Sequence, residues 1–252
     1  MNTVSIIVPV YGAADFIKET IEMVRKQTYT DWELVLVEDC SKDNTAEVLR
    51  NLEKEFQDDR IKVIYKEKNE GAAKARNTGL DMVNSRYIAF LDADDVWFSD
   101  KLEKEMAFMK AHEAGFVFTA YEFGDENAKG TGKLVKVPQT LNYNQALSRT
   151  IIFTSTVLFD TEKIEKNYLY MPNVPSEDSA TWWRILRDGH LAYGLNEVTT
   201  IYRRPKKSLS SDKGEAIKRI WFLYREMERL PLLKSCVCFV GWAIRATLRR
   251  LV

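Results

Sequence analysis

Three features of the chain predict an α/β fold with a mainly parallel central sheet flanked by helices. Short apolar runs of strand character alternate with helical spacings through the amino-terminal half. An acidic triplet, Asp92, Asp94 and Asp95, follows directly on one of those runs. A basic amphipathic segment closes the chain.

The strand candidates are Val4 to Val10, Trp32 to Glu38, Ile61 to Tyr65, Tyr87 to Leu91 and Phe116 to Tyr121, all rich in β-branched and aromatic residues. Between them, residues 15 to 28, 44 to 57, 72 to 84 and 100 to 112 carry helical periodicity. Asp43 or Asn44 is placed to cap the second helix and Ser99 the fourth, while Ala72-Ala73-Lys74-Ala75 opens the third with high intrinsic propensity. Such alternation builds a parallel sheet, and ligands of open parallel sheets bind beyond the carboxyl ends of the strands. Tyr11-Gly12, Asp39-Cys40-Ser41 and Asp92 to Asp95 should therefore converge on one crevice. Beyond residue 124 the pattern loosens: Lys133 to Val137 reads as a short strand, Tyr143 to Arg149 as a brief helix, and Ser176-Glu177-Asp178 precedes a helix containing Trp182 and Trp183. Carboxylates in a first turn are favoured by the helix dipole, so Glu177 and Asp178 have a capping role available as well as a chemical one.

With 252 residues and 45% hydrophobic content, the chain can bury a full core. Its three cysteines suit a reducing compartment, and a strand beginning directly after Met1-Asn2-Thr3 leaves no room for a signal peptide, so a cytoplasmic location is expected. Lys and Arg balance Asp and Glu at 37 each, but residues 203 to 252 hold 13 basic against 4 acidic residues. The tail therefore seeks an anionic surface. With no nucleic-acid motif and a strong apolar stripe, a membrane fits it better than nucleic acid.

An acidic triplet behind a buried strand is unfavourable unless a proton or cation relieves it. Hard cations such as Mn2+ or Mg2+ take oxygen ligands and leave positions open for water and substrate phosphate. No G-x-G-x-x-G or Walker sequence follows any of the strands, so phosphate must be held by metal and basic side chains instead. Asp92-Ala93-Asp94-Asp95-Val96 also fits the loose pattern of aspartate-nucleophile phosphatases.

Six segments in order carry a resemblance: Ser5 to Tyr11, Gln27-Thr28-Tyr29, Glu38 to Thr45, Asn69 to Asn77, Leu91 to Asp95, and Glu177-Asp178. Together they resemble the inverting family 2 glycosyltransferases of the GT-A (nucleotide-diphospho-sugar transferase) fold, of the bacterial cell-surface polysaccharide type. The resemblance implies transfer of a sugar from a nucleotide sugar, with UDP favoured, to a hydroxyl of a lipid-linked saccharide acceptor. It implies a donor pocket of Pro9, Tyr11, Asp39, Arg76, Asp92, Ala93 and Asp94, with Tyr11 stacking on the base, Asp39 accepting from it, and Arg76 reaching base or phosphates. It further implies Mn2+ or Mg2+ held by Asp94 and Asp92, and Asp178 as the catalytic base. Residues 1 to 123 would form the donor half, 124 to 210 the acceptor and catalytic half, and 211 to 252 the C-terminal amphipathic helices. A binding subunit that kept the fold and lost turnover is the nonenzymatic alternative.

Two departures bear on that resemblance. Cys40 stands where the family usually has glycine, and Pro205 where a histidine is common. Arg203, Lys206 and Lys207 are candidates to supply the missing positive charge to a diphosphate. In the tail, residues 215 to 230 read as a helix ended by Pro231. A second apolar stripe of Leu233, Val237, Val240, Ile244, Leu248 and Leu251 then faces away from Lys234, Arg245 and Arg249. This stripe suits either an interfacial helix on an anionic membrane or one docked on protein.

Overall fold

The apolar run at the amino terminus becomes the strand around which the rest is arranged. The computed structural model describes residues 2–204 and 213–251; Pro205, Lys206 and Lys207 lie outside the described residues. Strand β1 (Val4–Val10) is followed by α1 (Ile17–Arg25), β2 (Trp32–Glu38), α2 (Thr45–Phe56), β3 (Ile61–Tyr65), α3 (Ala72–Asp81) and β4 (Tyr87–Phe90). These bounds match the predicted elements to within a few residues. β1 pairs in parallel with β2 on one side and β4 on the other, and β3 extends the sheet beyond β2. The chain thus moves outward from β1 to β3, then returns to the free side of β1. That reversal of strand order opens a crevice at the carboxyl ends of the strands.

Both faces of β1 are buried: Ile7 joins one core cluster with Val35, Ile88 and Phe90, while Ile6 and Val8 join the other with Leu34, Leu36 and Ala89. Continuous rather than alternating hydrophobicity is what a two-sided strand requires. Gly79 on α3 allows the helix to lie against β1, since a Cβ there would sit 2.4 Å from Ile7 Cγ2. At α2 Asn44 occupies the N-cap and makes no side-chain capping bond, while Asp43 Oδ1, one residue earlier, accepts from the Thr45 amide at 3.1 Å. Ser99 does not cap α4: Asp100 occupies the N-cap and makes no side-chain capping bond.

Past β4 the sheet changes character. β5 (Val96–Trp97), α4 (Lys101–Ala111), β6 (Phe116–Gly124), β7 (Gly130–Val135), β8 (Thr140–Leu141), α5 (Tyr143–Leu147), β9 (Val157–Asp160), α6 (Glu177–Arg187) and β10 (Ala192–Arg203) complete it. β9 inserts antiparallel between β4 and β6, and β10 runs parallel to β6. The principal order is β3-β2-β1-β4-β9-β6-β10-β5, with β7 on β6 and β8 on β10. Parallel pairing therefore dominates only the first four strands. Trp182 is buried against Phe90, Phe116 and Phe159, and Trp183 stacks on Tyr224 at 5.5 Å, so both aromatics of α6 serve the core.

The tail forms α7 (Lys213–Phe222), a π turn at Leu223–Met227, and α8 (Leu232–Leu251). α8 is docked on one side, where Trp242 Nε1 donates to Thr150 Oγ1 at 3.0 Å and Arg245 to Ser148 Oγ at 3.2 Å. On the other side Leu233, Val237, Val240, Ile244 and Leu248 remain exposed, Leu233 to 78%. The helix is thus docked on the domain by another face, and the apolar stripe expected to meet either a membrane or protein is left exposed. Among the described residues no helix is long and apolar enough to cross a membrane.

Candidate active site

A cleft of about 520 Å³ opens beyond the carboxyl ends of β1, β2 and β4. Pro9, Tyr11, Asp39, Arg76, Asp92, Ala93 and Asp94 all line it, so the topology brings together the residues expected to hold a donor. Tyr11 is 49% exposed and offers an uncovered ring at the cleft.

Asp39 is buried and densely bonded. Its Oδ1 accepts from Lys66 Nζ at 2.7 Å, both oxygens accept from the Glu70 amide at 3.1 Å, and Oδ2 accepts from the Gly71 amide at 2.7 Å. The two amides belong to the turn that leads into α3, and the left-handed φ of 88° at Gly71 shapes that turn. Asn69 Nδ2 donates to the Asp39 carbonyl at 3.0 Å. Burial disfavours the Lys66 ammonium, but the hydrogen bonds to Asp39 and Glu70 outweigh it and hold its pKa above the ordinary value. Lys66 escaped the sequence reading because nothing local marks it. It reaches Asp39 only because β3 ends alongside β2. Cys40, next in the chain, has φ of 57°, which explains why glycine is the ordinary choice at this turn.

The acidic cluster at the end of β4 is treated differently. Asp92 Oδ1 accepts from Arg76 Nη2 at 2.6 Å, and its amide donates to Ser155 Oγ at 3.0 Å. Asp95 is buried, accepting from Ser155 Oγ at 2.5 Å and from the Arg203 amide at 3.2 Å. Burial, with Asp92 and Asp94 beside it, pushes its pKa well up. Among the described residues no cation pairs with Asp94. Burial first and Asp92 second push its pKa up to about 6.

Two expected roles are not what the geometry displays. Arg76 was expected to reach a base or phosphates, but its Nη1 donates to Glu177 Oε1 at 2.9 Å while Nη2 holds Asp92. The guanidinium is buried, and two carboxylates converge on it from α6 and from the end of β4, so its charge is used to join them. Arg203, expected to serve a diphosphate, donates to Glu19 Oε2 at 2.7 Å and to the Asp94 carbonyl at 2.6 Å, and lies over the Phe16 ring at 4.5 Å. It is a strap holding the acidic loop against α1, with each of its three side-chain nitrogens already hydrogen-bonded. The expectation for Lys206 and Lys207, and for Pro205 in place of histidine, falls on residues outside those described.

Asp178 lies in the first turn of α6, after Ser176 in a left-handed conformation with φ of 58°. Its Oδ1 accepts from the Ser179 amide at 2.6 Å. Burial, with Glu177 next to it, pushes its pKa up to about 6 against the opposing pull of Arg76. It lines a separate cavity of about 210 Å³ with Ser176, Arg219 and Trp242, where the tail helices close over α6. A third cavity of about 600 Å³ runs from Ala72 past Glu177 to Arg219 and adjoins both others through shared walls. Glu177 and Asp178 thus divide the work of adjacent carboxylates. One is tied through Arg76 to the acidic loop; the other is left near neutrality beside open space, able to take a proton.

Residues 5–167 match the family model described as glycosyl transferase family 2. TuaG of Bacillus subtilis (strain 168), assigned as a teichuronic acid biosynthesis glycosyltransferase, is 43% identical over 98% of this chain and 97% of its own length. WfgD of Escherichia coli, a UDP-Glc:alpha-D-GlcNAc-diphosphoundecaprenol beta-1,3-glucosyltransferase, is 38% identical over 92% of this chain and 88% of its own. Among solved structures, S. aureus TarS 1-349 in complex with UDP-GlcNAc aligns with TM-score 0.68 at 20% identity, covering 96% of this chain and 71% of that one. Mannosyltransferase PcManGT from Pyrobaculum calidifontis, in complex with GDP-Man and Mn2+, aligns with TM-score 0.72 at 21% identity, covering 94% and 68%. These structural likenesses establish the GT-A fold.

Proposed function

The chain belongs to glycosyl transferase family 2, and on that premise we propose that it moves a sugar from a UDP-sugar to a hydroxyl of a lipid-linked saccharide, with inversion, in cell-surface polysaccharide or glycolipid assembly. The observation that carries this reading is the junction at Arg76. One buried guanidinium ties the acidic loop of the donor cleft to Glu177, the immediate neighbour of Asp178. The names of WfgD, with its UDP-Glc donor and diphosphoundecaprenol-linked acceptor, and of the TarS complex with UDP-GlcNAc support the donor and acceptor classes.

In this reading residues 1 to 123 bind the donor, with Pro9, Tyr11 and Asp39 around the base and Asp92, Ala93 and Asp94 toward the ribose and diphosphate. Because Lys66 and two amides pre-order Asp39, its remaining acceptor capacity is aimed before the base arrives. Residues 124 to 210 provide the acceptor and catalytic half. Asp178 withdraws the proton of the acceptor hydroxyl as it attacks opposite the leaving group, so that an α-linked donor yields a β-glycoside.

The donor set of Asp92 and Asp94 fits a divalent cation. Asp94 is a carboxylate raised by burial and by Asp92 that Arg203 offsets only in part, one Asp92 oxygen is not bonded to Arg76, and hard oxygen ligands suit Mg2+ or Mn2+. Among the described residues no cluster of three metal-ligating side chains exists, so donor phosphate and water would complete the shell. When bound, such an ion offsets the negative charge that develops on the departing diphosphate.

The exposed stripe of α8, within a tail of strongly basic balance, supports attachment to an anionic membrane face from the cytoplasmic side, where the lipid-linked acceptor would lie. Calorimetric titration with UDP-sugars, with and without Mn2+, tests the central reading. Binding that requires the ion and disappears in Asp94→Ala is expected. Absence of binding by any UDP compound would falsify the donor assignment.

A further inference from the structure

Arg219 occupies a position that the donor cleft does not use. It projects from α7 into the walls of both the 600 Å³ cavity and the 210 Å³ cavity that contains Asp178. It is half-buried and makes no hydrogen bond or ion pair among the described residues, unlike Lys218 beside it, which pairs with Glu215 at 2.8 Å. A partly desolvated guanidinium without an internal counter-ion is unusual, and its planar donor fork matches phosphate oxygens. Ser176 joins Arg219 on the walls of both cavities, so the two spaces meet between the catalytic carboxylate and this cation. Trp242 of α8 lines the same small cavity, and on the same helix begins the outward stripe of Val237, Val240 and Ile244.

Resting on the acceptor class proposed above, we infer that Arg219 is the acceptor-phosphate subsite: it binds the diphosphate that joins the acceptor sugar to its lipid, while Asp178 receives the sugar hydroxyl. The arrangement orders the acceptor by its chemistry. The polar sugar enters beside Asp178, the dianionic linker meets the free guanidinium, and the lipid leaves along the apolar outer face of α8. The tail helices are then part of the acceptor site rather than only an anchor, through a cation at the cavity wall that has no carboxylate partner among the described residues.

The test uses the full chain saturated with UDP and Mn2+, so that the donor cleft is filled and cannot take a second diphosphate. Farnesyl diphosphate, farnesol and inorganic pyrophosphate are titrated separately, with binding followed by calorimetry. The expected result is binding of farnesyl diphosphate that weakens about tenfold in Arg219→Ala and is largely recovered in Arg219→Lys, with UDP affinity unchanged in both. A tenfold loss corresponds to about 1.4 kcal/mol, the scale of one charge-assisted contact. Unaltered farnesyl diphosphate affinity in Arg219→Ala, or none in the parent chain, overturns the subsite. Inorganic pyrophosphate binding as tightly as farnesyl diphosphate overturns its assignment to a lipid-linked group. Failure of the UDP titration itself would count against the donor reading instead, which keeps the two claims separable.

Discussion

The two strands that flank β1 are followed by carboxylates that the fold treats in opposite ways. At the end of β2, Asp39 is surrounded by Lys66 and two backbone amides; at the end of β4, Asp94 has no cationic partner among the described residues and a pKa pushed up to about 6. The first is a finished electrostatic unit, ordered in advance. The second is left with excess negative potential that only a proton or an incoming cation relieves. Under the proposed function this contrast separates a carboxylate held for recognition from one held in readiness for an ion, although both follow strands that flank β1.

Breaking the reactive side should have the largest effect. Asp178→Asn is expected to lower kcat by at least about 10²- to 10⁴-fold, the scale of general base assistance, while leaving the donor KM near its parent value. In the parent enzyme, kcat/KM should rise with pH and level off above about pH 6, because the proposed base Asp178 must be deprotonated to act and burial pushes its pKa up to about 6. A steady-state profile flat from pH 5 to 8 would remove Asp178 from that role.

Asp94→Asn sharpens the contrast through stability. A carboxyl whose folded pKa exceeds its unfolded one binds protons more tightly when folded, so its ionisation destabilises the fold as pH rises from about 4 to about 6. Asp94→Asn should therefore abolish metal-dependent turnover and still raise Tm at pH 8 by about 2–4 °C, the equivalent of about 1 kcal/mol in a chain of this size. The gain should vanish below about pH 4, where Asp94 of the parent chain is protonated in both the folded and the unfolded state. A lower Tm at pH 8 without metal would contradict the account of an uncompensated charge.

The opposite outcome is expected on the β2 side. Lys66→Met removes the cation from a nearly buried pair and should destabilise by about 2–4 kcal/mol, less than a fully isolated charge because the amides of Glu70 and Gly71 remain. Pairing it with Asp39→Asn should recover much of that loss, which a double-mutant denaturation cycle would reveal.

The smallest effects on folding should come from the surface. Changing Val237 and Ile244 together to Glu alters exposed positions, so stability should move by no more than about 0.5 kcal/mol each. Co-sedimentation with phosphatidylglycerol vesicles should nevertheless be lost, and retention of full binding would separate the apolar stripe from membranes. Cys40→Gly relieves a left-handed conformation and should stabilise by about 1 kcal/mol in a thermal melt.

The amino-terminal strands, their helices and the convergence of Pro9, Tyr11, Asp39 and Asp94 were legible because they rest on local periodicity and on the rule that parallel strands gather their ends. β9 was not, since a four-residue run between β4 and β6 is recognisable only from its partners. Arg76 and Arg203 were visible as cations near motifs, but the sequence could not show that carboxylates from distant segments, Glu177 and Glu19, would claim their donors. Lys66 and Arg219 had no local signal of any kind. Their distinction is the presence of a partner in one case and, among the described residues, its lack in the other.

By itself, the order of residues determined the alternating elements, the acidic loop behind β4, the Glu177-Asp178 pair and the apolar repeat of the tail, because each depends on spacing within a few turns or a single strand. Tertiary structure alone decided which charges are neutralised. Ion pairing and desolvation depend on distances between segments as far apart as Arg76 and Glu177, and the same residue type becomes strap, bridge or open site according to what the fold brings beside it.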